Sequence, residues 1–232
     1  MQPHRFTVLT DRAARFEALG LVALCVAVAV LAWAVLSPEA VLRLMAESGP
    51  VEAATAPLYF LAAIYVLVAG VPRIEPSPVL PLCIVLCGFG ARELDLHKAF
   101  TGTSVLKVSF YLGPAPLAHK LVALGVVGAV LGAVLHLLTR HGRRIWRGLR
   151  QGRPAAITVA VFAVTMVVAK IVDRSRMVLL EDFGIALGSS ATALFIALEE
   201  TLELGLPLLV LLGLLRHRRP AARAALNARQ TP

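Results

Sequence analysis

Charge is scarce in this sequence, and acids are scarcer than bases: 14 Asp and Glu stand against 23 Lys and Arg, and only 16% of the 232 residues are charged. Soluble domains carry about a quarter charged residues, so an ordinary water-covered surface is excluded. Cysteine is also sparse. Cys25, Cys83 and Cys87 each lie within an apolar stretch, and an odd number of such thiols builds no disulfide framework. Cys83 and Cys87 stand one helical turn apart with no CxxC or Cys/His spacing beside them, which argues against a zinc site there. No G-x-S-x-G, H-E-x-x-H or P-loop pattern occurs, so no specific hydrolase, metalloprotease or nucleotide chemistry is written in a motif. Low-complexity segments and internal repeats are lacking too.

Long apolar runs are abundant. The chain is 58% hydrophobic and has a mean hydropathy of +0.79, the composition of a membrane protein. A helix needs about 20 mostly apolar residues to cross a hydrocarbon core roughly 30 Å thick. Six segments meet or approach that length: about 18–36, 56–71, 79–99, 115–138, 155–173 and 191–215. The expected fold is therefore all-α, a polytopic transmembrane helix bundle of six spans. Residues 1–17 form a cytoplasmic arm, 18–215 a single transmembrane domain, and 216–232 a basic cytoplasmic tail without fixed structure.

Lys and Arg beside the spans set the orientation. The segment RHGRRIWRGLRQGRP (140–154) holds six arginines and no acid, the tail from Arg216 five, the N-terminal arm three and 72–78 one, so one side has 15 of the 23 basic residues. That side is expected to be cytoplasmic, with both termini on it. Bases in short segments between spans follow topology rather than nucleic-acid binding, and no nucleic-acid partner is expected. Ala32-Trp33-Ala34 resembles a signal-peptidase site, but the long region before it contains Asp11 and Glu17, so the first span is read as retained. Compact connections and the preference for Arg over Lys point to a bacterial inner membrane.

The remaining charges gather towards the opposite, outer side. Of the 14 acids, eight lie in outer segments and three are Glu199, Glu200 and Glu203 of the last span. At 1.5 Å per residue, Glu203 lies roughly 20 Å along its helix, and even lenient scales assign about 2.5–3.5 kcal/mol to a central charged residue. The third span ends in ARELDLHKAF, with Arg92, Glu93, Asp95, His97 and Lys98. Read as one helix, it puts Glu93 and His97, four apart, on one face. His119 and Lys120 open the fourth span, and Lys170, Asp173 and Arg174 close the fifth. Shared depth predicts one outward-facing polar chamber floored by Glu199 and Glu203, with Pro207 removing a backbone hydrogen bond below.

Two histidines and two carboxylates (Glu93, His97, His119 and Glu199 or Glu203) would suit Zn²⁺ or Fe²⁺ and activate a water for hydrolysis. The E-x-x-H repeats of a di-iron bundle are absent, the spacing here being E-x-x-x-H. Without a metal, Glu203 is the candidate acid or base. Lys98, Lys107 and Lys120 would then meet a lipid phosphate, with segment 101–114 closing over the headgroup. In either form the leading expectation is an enzyme acting on a lipid or lipid-linked substrate, with Lys170 and Asp173 as a supporting pair. A proton- or cation-coupled transporter is the first alternative, opposed by an inner half that is almost wholly apolar except for His136. A non-catalytic scaffold or assembly factor is the second. Its ion pairs would clip helix ends together, Lys170 pairing Glu199 or Glu200, and Arg92 or Lys98 a nearby acid. For Glu203 the nearest cations by depth lie several ångströms higher. The bilayer is the expected partner, and no residue pattern signals an oligomeric state.

Overall fold

The computed structural model describes the backbone of residues 4–45, 49–70, 76–99 and 101–230, and the side chains of 16–45, 49–68, 78–99 and 101–216. The described backbone is helical, in the order α1 (His4–Val35), α2 (Pro38–Met45), α3 (Pro50–Gly70), α4 (Pro76–Glu93), α5 (Leu96–Ala99), α6 (Val108–Leu112), α7 (Leu117–Arg150), α8 (Pro154–Glu181) and α9 (Ser189–Gln230). Among the described residues, four stretches are long and apolar enough to cross a membrane: Phe16–Val35, Pro38–Val68, Leu117–Arg150 and Pro154–Glu181. The two other expected spans carry the charges that weaken them. α4 is only 18 residues long and ends in Arg92-Glu93, and the apolar run of α9 is interrupted by Glu199, Glu200 and Glu203.

Several boundaries differ from the sequence expectation. The span expected over 79–99 is not one helix: α4 stops at Glu93, and Asp95 takes a left-handed φ of 52°, a conformation that Asp tolerates better than most side chains. The Asp95 carbonyl then accepts from the Lys98 and Ala99 amides, starting α5. Connections expected over 37–55, 101–114 and 140–154 contain α2, α6 and the end of α7, and α8 continues past residue 173 to Glu181. Hydropathy marks the hydrocarbon-facing part of a helix, whereas backbone hydrogen bonding carries it on into arginine-rich sequence. The tail expected to lack structure continues the α9 helix to Gln230 for the same reason. Glu47 and most of segment 72–78 lie outside the described residues.

The chain divides into two compact units, Met1–Glu52 with Arg144–Pro232, and Ala53–Arg143. In the first, α9 packs against α8, α1 and α2. Its buried residues are mostly small: Ala18, Cys25 and Ala29 of α1, Ala156, Thr158, Thr165 and Ala169 of α8, and Ala193, Ala197 and Thr201 of α9. Small side chains let helix backbones approach closely where hydrophobic exclusion of water supplies no drive. A Cβ at Gly205 would come within 3.1 Å of Cys25 Sγ, which marks the α1–α9 approach. Short α2 lays Val41 and Met45 onto Ala29, Ala193 and Ala197, while the Trp33 indole donates to the Ser190 carbonyl and hydroxyl at 3.0 Å, joining the end of α1 to the start of α9. At the other end of these helices Arg216 pairs with Glu17.

The α7–α8 connection is a tight reversal. The Arg153 amide donates to the Gly148 carbonyl at 2.8 Å and the Gly152 amide to the Leu149 carbonyl at 3.0 Å, with Gly152 at φ 64°: a Schellman ending followed by Pro154 at the start of α8. A Cβ on buried Gly148 would stand 3.0 Å from the Ala156 Cβ, an atom that cannot rotate away. Gly148→Leu is accordingly expected to cost roughly 1–3 kcal/mol through overpacking, read as a lower melting temperature in detergent.

In the second unit, the Tyr59 and Phe89 rings stack with centroids 5.5 Å apart, Cys83 Sγ lies 3.6 Å from the Ala63 carbonyl, and Gly90 makes room for the Phe60 ring. These contacts join α3 to α4, and Gly88 sits against Val130 of α7.

Candidate functional site

The strongest concentration of chemistry lies where α8 and α9 run antiparallel. Glu199 and Glu203 are four residues apart on α9 and thus one above the other on a helix face. Both meet cations of α8. Lys170 Nζ is 2.8 Å from Glu203 Oε1 and 3.1 Å from Asp173 Oδ2. Arg176 Nη2 donates to Glu199 Oε2 at 3.0 Å. Asp173 and Glu199 are also close enough to interact electrostatically. Three carboxylates and two cations are thus paired along α8 and α9, Lys170 with Asp173 and Glu203, and Arg176 with Glu199.

Packing makes that set expensive to leave unpaired. Glu203 is 8% exposed, and its neighbours Thr201, Leu202, Leu206, Pro207 and Leu209 are buried. Pro207 has no N–H, so the helix loses its donor to the Glu203 carbonyl. Thr201 turns its hydroxyl to the Ala197 carbonyl at 2.7 Å and takes no part in the network. From Leu204 to Leu215, α9 has no ionisable side chain, so an apolar stretch separates Glu203 from Arg216.

The expectation that Glu203 lies several ångströms below any cation is corrected by the Lys170 contact: the flexible stem of a lysine carries its ammonium along the helix, and depth counted at Cα misses that reach. Lys170 pairs with Asp173, as expected of a supporting pair in the enzyme reading, and also with Glu203. Arg176 is a member that the hydropathy reading missed, because it assigned everything after residue 173 to a connection. The continuing helix sets Arg176 six positions beyond Lys170 on α8, opposite Glu199. Arg174 is exposed and Glu200 half-buried.

The 92–98 cluster belongs to the other unit. Arg92 pairs with Glu93 at 3.3 Å, Lys98 with Asp95 at 2.9 Å, and His97 Nδ1 lies 3.7 Å from Asp95 Oδ1. The His97 carbonyl accepts from the Val105 amide, closing the intervening segment into a loop. The left-handed Asp95 breaks the helical register that would align Glu93 with His97. His119 is exposed, and Lys120 Nζ reaches back 2.7 Å to the Gly113 carbonyl, tying the segment before α7 to its first turn. Lys98 and Lys120 thus hold local structure, and Lys107 is exposed.

Among the described residues, no three His, Cys, Asp or Glu side chains gather as a metal-binding group. Glu93, His97 and His119, the part of the expected Zn²⁺ or Fe²⁺ donor set that lies in the second unit, form no such group among themselves. No protein-family model, curated protein or solved structure matches the chain. What fold and site define is a class: an all-helical chain with the helices of a membrane-embedded protein, carrying an ion-pair network between two of them.

Proposed function

We propose that this is a six-span protein of a bacterial inner membrane with cytoplasmic termini, and that the α8–α9 network is an acid/base centre acting on a lipid or lipid-linked substrate from the non-cytoplasmic leaflet. The arginine asymmetry supports the orientation. The observation that carries the chemistry is buried Glu203, 2.8 Å from Lys170 in a group of ion pairs that joins α8 to α9. Ionisable groups inside a span are costly and are kept mainly for function. Glu203 is assigned as the proton-transferring group. Lys170 and Asp173 hold its carboxylate in place, and Arg176 does the same for Glu199. A carboxylate is a group that can gain and release a proton, as an acid/base centre must.

Buried carboxylates within a span also suit a second reading, a proton- or cation-coupled transporter. The apolar stretch of α9 beyond Glu203 speaks against a continuous path. Comparing the lipids of cells carrying wild-type protein or Glu203→Gln at matched protein levels separates these readings. Build-up of one lipid class in the variant supports the enzyme. An unchanged lipid profile with altered proton-coupled uptake in vesicles replaces it with transport, and no change in either assay leaves a scaffold.

A further inference from the structure

The end of α7 presents a basic surface that the proposed chemistry does not use. α7 has 34 residues, about 51 Å of helix, against a hydrocarbon core of about 30 Å. Its last turns therefore project beyond the apolar layer. Arg144, Arg147 and Arg150 follow one another at three-residue intervals on these turns and, with Arg153 of the reversal, are all exposed. The packed side of the same turns is different: Gly148 is buried against Ala156. Helical side chains lean towards the helix N-terminus, here back towards the bilayer, so the three guanidinium groups reach into the headgroup layer. Trp146 is 56% exposed, a residue type that settles at the membrane interface, and the Arg150 guanidinium lies 5.1 Å from its ring centroid. From residue 96 to residue 172 the sequence contains no acid.

We propose that Arg144, Arg147, Arg150 and Arg153, flanked by Trp146, form a binding surface for anionic phospholipid headgroups of the cytoplasmic leaflet. Guanidinium groups match phosphate oxygens two at a time, and basic clusters immediately beside a span are drawn to anionic lipid. The surface is set by the Schellman reversal, which fixes the end of α7 against α8 and leaves the arginine face outward.

The test uses the full chain extracted from bilayers of mixed phosphatidylglycerol and phosphatidylcholine, with bound lipid counted by mass spectrometry. Wild type is expected to retain phosphatidylglycerol in excess over the bulk mixture. R144Q/R147Q/R150Q is expected to lose that excess by about tenfold or more, and R144K/R147K/R150K to keep most of it because the charge remains. An excess undiminished in the glutamine variant overturns the proposal. A second reading needs no arginine substitution: the emission lost in W146F reports Trp146, and it should be quenched more by brominated phosphatidylglycerol than by brominated phosphatidylcholine. Equal quenching, or binding of polyuridylate RNA with no preference among lipids, also overturns it.

Discussion

Lys170→Met is expected to lower the stability of the protein by about 3 kcal/mol, and Lys170→Met/Glu203→Met to recover most of that loss. The single substitution removes the ammonium that sits 2.8 Å from Glu203 and 3.1 Å from Asp173. Glu203 is then a buried carboxylate without its principal counter-ion, which is far costlier than losing both partners together. The magnitude belongs at the lower end for buried pairs, because Lys170 keeps 41% of its side chain exposed. In the double variant an unbranched thioether of similar volume replaces each charged group, so the space each side chain fills stays occupied. Melting temperatures of the two variants and wild type, measured in one detergent, close the cycle. Equal destabilisation by the single and double substitutions would show that packing, rather than the ion pair, dominates at this position.

Glu203→Gln has the opposite signature. Gln preserves the shape and can still accept a hydrogen bond from Lys170, so the fold should persist, but it can no longer carry a proton. Turnover of the lipid class that builds up in the variant strain is expected to fall by about 100- to 10,000-fold, the range for removing a general acid or base, with a melting temperature close to wild type. Arg216→Gln is the control. It breaks the Arg216–Glu17 pair at the other end of α9, so it should lower the melting temperature while leaving turnover unchanged. Turnover lost equally in both variants would reduce Glu203 to a structural clip.

The helical class and the membrane character were legible from apolar run length alone, because a span must be long and internally hydrogen-bonded. Glu199 and Glu203 were legible as a pair, since a spacing of four fixes a shared helix face whatever surrounds it, and both do meet α8. What could not be read was the register of α8 against α9. Hydropathy ended the fifth span at Asp173, whereas α8 continues for two more turns and so brings Arg176 level with Glu199. The break at Asp95 was illegible for another reason: a single left-handed residue leaves no periodic trace, and the sequence on either side of it still looks like one helix. The predicted metal set depended on that unbroken helix and on exposed His119. Ion pairs that cross between helices are specified by side-chain reach, which a count of Cα positions does not contain.

The decisive question is whether the α8–α9 set holds a proton that it can exchange. Infrared difference spectra of the lipid-embedded protein, recorded between mildly acidic and alkaline pH, resolve protonated carboxyl groups directly. A protonated-carboxyl band that disappears on raising the pH, and is missing or shifted in both Glu199→Gln and Glu203→Gln, is the expected result. A spectrum with no such band, or one whose band survives both substitutions unchanged, would contradict an acid/base centre and leave these charges as a clasp between two helices.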